Sequence, residues 1–145
     1  MRTLYLTRPV ENATDLADWA GEQGFAKTVP PEKLHVTIAY SSEPIDWEAI
    51  LWRSDIYDVP EVCGRWLEIL ENDAVALCFQ SVELVARWQE IRDLGASWDF
   101  PEYTPHVTLA FKAGDVDVAR IKPYMGPLRF GAEVFDVIPE DKDLW

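Results

Sequence analysis

Two copies of one short pattern constrain this chain more than anything else in it. They are His35-Val36-Thr37-Ile38 and His106-Val107-Thr108-Leu109, and each continues in kind, with Ala39-Tyr40 after the first and Ala110-Phe111 after the second. His35 and His106 are the only histidines in the chain. Both runs are rich in β-branched and aromatic residues, which suits a strand. Residues two apart on a strand point to the same face, so each His shares a face with its own Thr. Val36 and Ile38, like Val107 and Leu109, then point the other way, into apolar packing.

Seventy-one positions separate the two histidines, about half of the 145-residue chain. What lies around them reads as the same unit twice. Arg2 to Arg8 is a first strand, ended by Pro9. A helix follows from about Thr14, capped by Asn12 or Thr14, with Leu16, Trp19 and Ala20 on its apolar face and Gly21 and Gly24 at its end. A loop over 25–33, with Pro30 and Pro31, delivers the chain to the first His strand, and Ser41 to Asp46 is a second loop. The stretch 47–57 is ambiguous and admits a helical turn before a strand near Val59. Arg65–Leu70 and Ala74–Gln80 form a hairpin through Glu71-Asn72-Asp73, which places Cys78 opposite about Trp66. Ser81 caps a second helix of about Val82 to Leu94, with Leu84, Val85, Trp88, Ile91 and Arg92 at helical spacing. An aromatic loop leads into the second His strand, and a short helix near Val116–Lys122 and one final strand near Leu128–Ile138 complete the order. The expected architecture is α+β: a single domain of two pseudo-symmetric halves, about 1–58 and 59–145, with the two motifs face to face.

Composition narrows what such a domain can hold. Its length and 48% hydrophobic content allow one compact core. No apolar run reaches membrane-spanning length, and no secretory leader is expected at the N-terminus. Cys63 and Cys78 have no zinc-ligand spacing and are expected to be free thiols in a reducing cytoplasm. The net charge is −13, with thirteen basic residues scattered among twenty-six acidic ones and no basic stripe. That excludes a binder of long nucleic acid, which needs clustered Lys and Arg. A small phosphorylated ligand in a cleft stays compatible.

Two imidazoles, which ordinarily titrate near pH ~6.5, can act as base and acid in one turnover. In-line displacement at phosphorus needs that pairing, because one oxygen gains nucleophilicity while the opposite oxygen leaves. A Thr hydroxyl beside each His can donate to a non-bridging phosphate oxygen. His35, Thr37, His106 and Thr108 are therefore the candidate catalytic residues, with no metal and no cofactor expected. A lone His-x-Thr on a strand would be weak evidence. Two at half-chain spacing are strong, because unneeded polar groups rarely line a core.

The paired His-x-Thr motifs resemble the 2H phosphoesterase superfamily, which includes RNA-ligase-like cyclic phosphodiesterases. Leu4-Tyr5-Leu6, the Pro-containing loop and the run Lys33 to Ser41 are most similar to the phage anti-CBASS nucleases, which cleave the cyclic di- and trinucleotide signals of bacterial immunity. The resemblance implies a two-lobed fold with antiparallel sheets flanking a central cleft and helices outside. It implies metal-independent cleavage of 3′–5′ bonds in the host bacterial cytoplasm, with the substrate's own 2′-hydroxyl as nucleophile. It also suggests Tyr5 as a substrate contact, Trp66 as a stacking residue and Glu133 as a base-edge acceptor. Each has a plainer alternative: strand packing for Tyr5, the core for Trp66, a solvated strand position for Glu133. The aromatic loop of Trp98, Phe100 and Tyr103 offers stacking faces for nucleobases or anchors itself by packing. Two other readings remain: a 2′,3′-cyclic phosphodiesterase or 2′,5′-RNA-ligase-like enzyme of RNA processing, and a non-catalytic module that sequesters cyclic nucleotides.

Overall fold

A computed structural model describes residues 1–61 and 64–139. Its strands are β1 (Arg2–Pro9), β2 (Lys27–Thr28), β3 (His35–Ile45), β4 (Tyr57–Val59), β5 (Arg65–Ile69), β6 (Val75–Phe79), β7 (His106–Lys112), β8 (Leu128–Phe130) and β9 (Val134–Asp136). Two α-helices, α1 (Ala13–Glu22) and α2 (Val82–Asp93), and three short 3-10 turns complete the order. The main sheet runs β5-β6-β7-β3-β1-β9, with β2 also paired to β7, and its ladders are antiparallel. A small second sheet pairs β4 with β8.

Two strand–helix–strand runs make up most of the sheet, β1–α1–β3 in the first half of the chain and β6–α2–β7 in the second. β1 pairs with β3, β6 pairs with β7, and the halves join where Val36 on β3 opposes Val107 on β7. Further along, β7 turns its edge to β2 instead, with Lys27 opposite Lys112. β9 returns from the end of the chain to the free edge of β1.

Alternation sets the two faces of the sheet. Leu4 and Leu6 on β1, Val36 and Ile38 on β3, and Val107 and Leu109 on β7 are fully buried and share one core with Leu16 and Ala20 of α1 and Leu84 and Ile91 of α2. α2 packs against β3 of the opposite half, and α1 against β2 and β7, so each helix straddles the junction. Both helices lie on this apolar side, which leaves the His and Thr side open. Ser81 caps α2 by accepting from the Leu84 amide at 3.1 Å. The β5–β6 hairpin closes at Asp73, whose φ of 67° is tolerated by Asp better than by bulkier residues. Its register sets Trp66 opposite Cys78, as expected.

Four local expectations are corrected. β3 does not stop at Tyr40 but runs to Ile45, because Arg2 to Leu4 of β1 pair with Ile45 and Ser41 across a register shift. The final strand is two: β8 joins β4 and β9 joins β1, broken where the Gly131 amide donates to the Pro9 carbonyl and its own carbonyl accepts from Arg8. On α2, Val85 is 40% exposed while Arg87 is buried. The Asn12 side chain gives no cap to α1; it donates instead to the Pro127 carbonyl and accepts from the Arg129 amide. Cys63 lies outside the described residues, and Cys78 is a free, buried thiol.

Candidate active site

The Val36–Val107 pair generates the site. Alternation from that pair sets His35 and Thr37 of β3 and His106 and Thr108 of β7 on the face opposite the two valines. The two histidines thus share one face of adjoining strands, His35 lining one cavity and His106 the next. The rows extend sideways as well: Trp66, Cys78 and His106 are successive cross-strand partners, as are Glu68, Ala76 and Thr108.

Each imidazole is held the same way. Nδ1 of His35 lies 2.7 Å from the Lys33 carbonyl, and Nδ1 of His106 lies 2.9 Å from the Thr104 carbonyl. A carbonyl oxygen only accepts, so both Nδ1 atoms carry hydrogen and both Nε2 atoms are the ones free to exchange a proton. The carbonyl comes from two residues upstream in both cases, so the strand entry itself orients the ring. The two Nε2 atoms then differ. That of His35 lies 2.9 Å from the Tyr5 hydroxyl, which donates to it when the ring is neutral. Burial pushes the Tyr5 phenol up, a hydrogen bond with Thr37 draws it partly back, and Tyr40 and Asp136 raise it further, so it stays protonated near neutral pH.

Two adjoining cavities open on this face, with Tyr5 in the wall of both. One, of about 670 Å³, contains His35, Thr7, Lys27, Glu32 and Lys33. The other, of about 650 Å³, contains Thr37, Cys78, His106 and Thr108, with Trp98 and Phe100 at its side. Either volume suits a small molecule. Thr108 is 3% exposed, and its Oγ1 has no hydrogen-bond partner among the described residues. A buried hydroxyl without a partner costs about 1–3 kcal/mol, so Thr108 keeps a donor that a ligand oxygen in the cavity can take up.

The remaining expected residues are placed differently. Trp66 is 38% exposed, in the same cross-strand row as His106 but two strands away, and lines neither cavity. Tyr103 packs face to face on Trp88 at 5.5 Å and donates its hydroxyl to the Thr37 carbonyl at 2.7 Å. It pins the aromatic loop to β3. Glu133 sits away from both cavities, 4% exposed, with its carboxylate gripped by Arg87 through bonds of 2.7 and 2.9 Å and by the Arg53 amide at 3.0 Å. With both oxygens so occupied, the structure offers no free base-edge acceptor there.

The profile of the Anti-CBASS protein Acb1 family matches residues 2–144. The chain belongs to this family. An Acb1 protein of Caulobacter sp. (strain RHG1) is 46% identical over 144 residues, covering 96% of this chain and 23% of its own length. This chain therefore spans about a quarter of that relative. The Acb1 protein of Escherichia phage RB16 is 33% identical over 99 residues, covering 68% of this chain and 56% of its own. Among solved structures, E. coli LigT complexed with ATP superposes with a TM-score of 0.61 at 17% identity, covering 92% of this chain and 85% of that one. The fold is thus the 2H phosphoesterase fold, as the motifs lead one to expect.

Several residues of the candidate site carried no sequence signal. Lys27 comes from the two-residue strand β2 and Lys33 from a short 3-10 turn, and Cys78 reaches the site because its strand pairs with β7. The register through Trp66 was readable for Cys78. Nothing in the local sequence pointed to the two lysines. Among the described residues no cluster of His, Cys, Asp and Glu has metal-binding geometry, and no helix is long and apolar enough to cross a membrane.

Proposed function

We propose that this domain is a phosphodiesterase that opens the 3′–5′ bonds of small cyclic di- or trinucleotide immune signals in the bacterial cytoplasm. The observation that carries the reading is the matched pair of imidazoles, each locked by Nδ1 to the carbonyl two residues upstream and each lining a cavity on the same face. Membership of the Acb1 family and the phosphoesterase fold support it.

One imidazole, neutral at Nε2, takes the proton of the ribose 2′-hydroxyl as that oxygen attacks phosphorus. The other, protonated at Nε2, gives its proton to the departing 5′-oxygen, leaving a 2′,3′-cyclic phosphate. Water then opens that ring with the two roles exchanged. The hydroxyls of Thr37 and Thr108 donate to the non-bridging oxygens as charge builds on them, and Thr108 brings no prior partner to give up. Tyr5 holds the His35 ring until substrate arrives and adds a phenolic donor beside it.

A turnover assay with a metal chelator present tests this. Cyclic dinucleotides and trinucleotides in excess over enzyme are compared with nucleoside 2′,3′-cyclic phosphates, for the parent chain, His35→Ala and His106→Ala. Linear products from the cyclic oligonucleotides, lost in both variants, are the expected result. Opening of the 2′,3′-cyclic phosphates alone would move the protein to RNA processing, and tight binding without product would make it a sequestering module.

A further inference from the structure

The cleft is electrically lopsided, and the two ends face different parts of a cyclic oligonucleotide. The His35 cavity is lined by two lysines, Lys27 and Lys33, against a single acidic residue, Glu32. The His106 cavity contains Glu68, Glu71, Asp99 and Glu102 and no Lys or Arg. A phosphodiester carries a full negative charge, so a second phosphate is repelled from the His106 end and drawn to the other.

The state of the remaining cations makes this contrast more than a matter of count. In a chain of net charge −13, most basic side chains are already engaged. Arg8, Arg53, Arg87, Arg120 and Arg129 have carboxylate partners. Arg65 and Arg92 donate to carbonyls, and Arg2 lies over Trp47. Among the described residues, Arg2 and the lysines Lys27, Lys33, Lys112 and Lys122 are the cationic side chains without an ion pair or side-chain hydrogen bond, and two of those five share the His35 cavity. Lys27 rests 5.3 Å above the Phe111 ring, another wall of that cavity. Lys33 is tied to the chemistry through its backbone, because its carbonyl holds Nδ1 of His35. Anchoring a phosphate on its ammonium therefore fixes the substrate relative to that ring.

We infer that Lys27 and Lys33 seat the uncleaved phosphate of the cyclic oligonucleotide, so that the ring enters with that phosphate at the His35 end and its scissile phosphate between the imidazoles. This rests on the proposed substrate class and goes beyond it by assigning an anion subsite and a binding orientation. A cyclic dinucleotide has two phosphates; a linear dinucleoside monophosphate has one and leaves the seat empty.

The test is calorimetric binding of these two ligands to the full chain carrying His106→Ala, which slows turnover enough to read binding, with Lys27→Ala, Lys33→Ala, Lys33→Arg or Lys122→Ala added. Each lysine truncation is expected to weaken the cyclic dinucleotide about tenfold, since a charge-assisted hydrogen bond is lost, and to weaken the monophosphate about threefold at most. Lys33→Arg keeps the preference for two phosphates, and Lys122→Ala, an exposed lysine outside both cavities, changes neither ligand. Equal weakening of both ligands, or no weakening of the cyclic one, overturns the subsite while leaving the enzyme reading intact. Failure of the His106→Ala chain to bind, together with failure of the parent chain to cleave cyclic dinucleotides, overturns the substrate class itself.

Discussion

The two halves of this domain solve one problem in the same way and then diverge. Each feeds a strand whose entry carbonyl fixes Nδ1 of the histidine, and each sets a threonine two residues on. Beyond that, Tyr5 covers Nε2 of His35 and lysines surround it, whereas His106 stands beside a neutral thiol, carboxylates and an aromatic loop. What is duplicated is the way each imidazole is held. What differs is the charge and the polar groups around it. In the proposed reaction, symmetric rings would do the proton transfers while the unlike surroundings orient the ligand.

The symmetric part makes the largest prediction. His35→Ala and His106→Ala should each lower kcat by about 10²–10⁴-fold, and the double variant should be little worse than the more damaged single one, since the rings act as a unit. Steady-state kinetics checks this, and a hundredfold imbalance between the two single variants would break the equivalence. Next comes the buried pair that ties α2 to the β8–β9 connection. Arg87 and Glu133 are 6% and 4% exposed, so Glu133→Ala should destabilise by about 3–5 kcal/mol in urea unfolding. A ligand role for Glu133 predicts instead a KM effect with stability kept.

Thr108→Val sharpens the contrast between support and function. Because the Thr108 hydroxyl has no partner among the described residues, its removal should leave unfolding within about 1 kcal/mol of the parent while lowering kcat by about 10². The smallest effect belongs to the pin between the halves. Tyr103→Phe removes one hydrogen bond to the Thr37 carbonyl and should cost about 1 kcal/mol at neutral pH. Burial, with Tyr57 nearby, holds the Tyr103 phenol above its ordinary value. Its contribution is therefore fully present below pH ~10 and is lost as pH rises beyond that. The parent and Tyr103→Phe melting curves should converge in strong alkali.

Much of the candidate site was legible because local rules determine it. Two residues apart on a strand means one face, and a hairpin through Glu71-Asn72-Asp73 means Cys78 opposite Trp66. The Ser81 cap was equally local. What escaped reading depends on partners far away in the chain. β3 extends to Ile45 because Arg2 and Leu4 are there to pair with it, and the final segment breaks at Gly131 because Pro9 and Arg8 bind it. Arg87 lies off the helix face read from the spacing and is buried because Glu133 meets it from 46 positions away. The lysines of the His35 end are of the same kind: two ordinary cations until the fold lines one cavity with both of them and His35.

The central claim is that one imidazole must be neutral and the other protonated in the same molecule, and the pH dependence of kcat/KM on a cyclic dinucleotide tests it most directly. Burial and the neighbouring Glu68 push the Cys78 thiol up to about 12, and Tyr5 is held above its ordinary value, so neither ionises in the range where an imidazole titrates. The account predicts a bell, with activity falling about tenfold per pH unit on both sides and with both limbs unchanged in Cys78→Ser. A profile with a single limb, or a flat one, would contradict it.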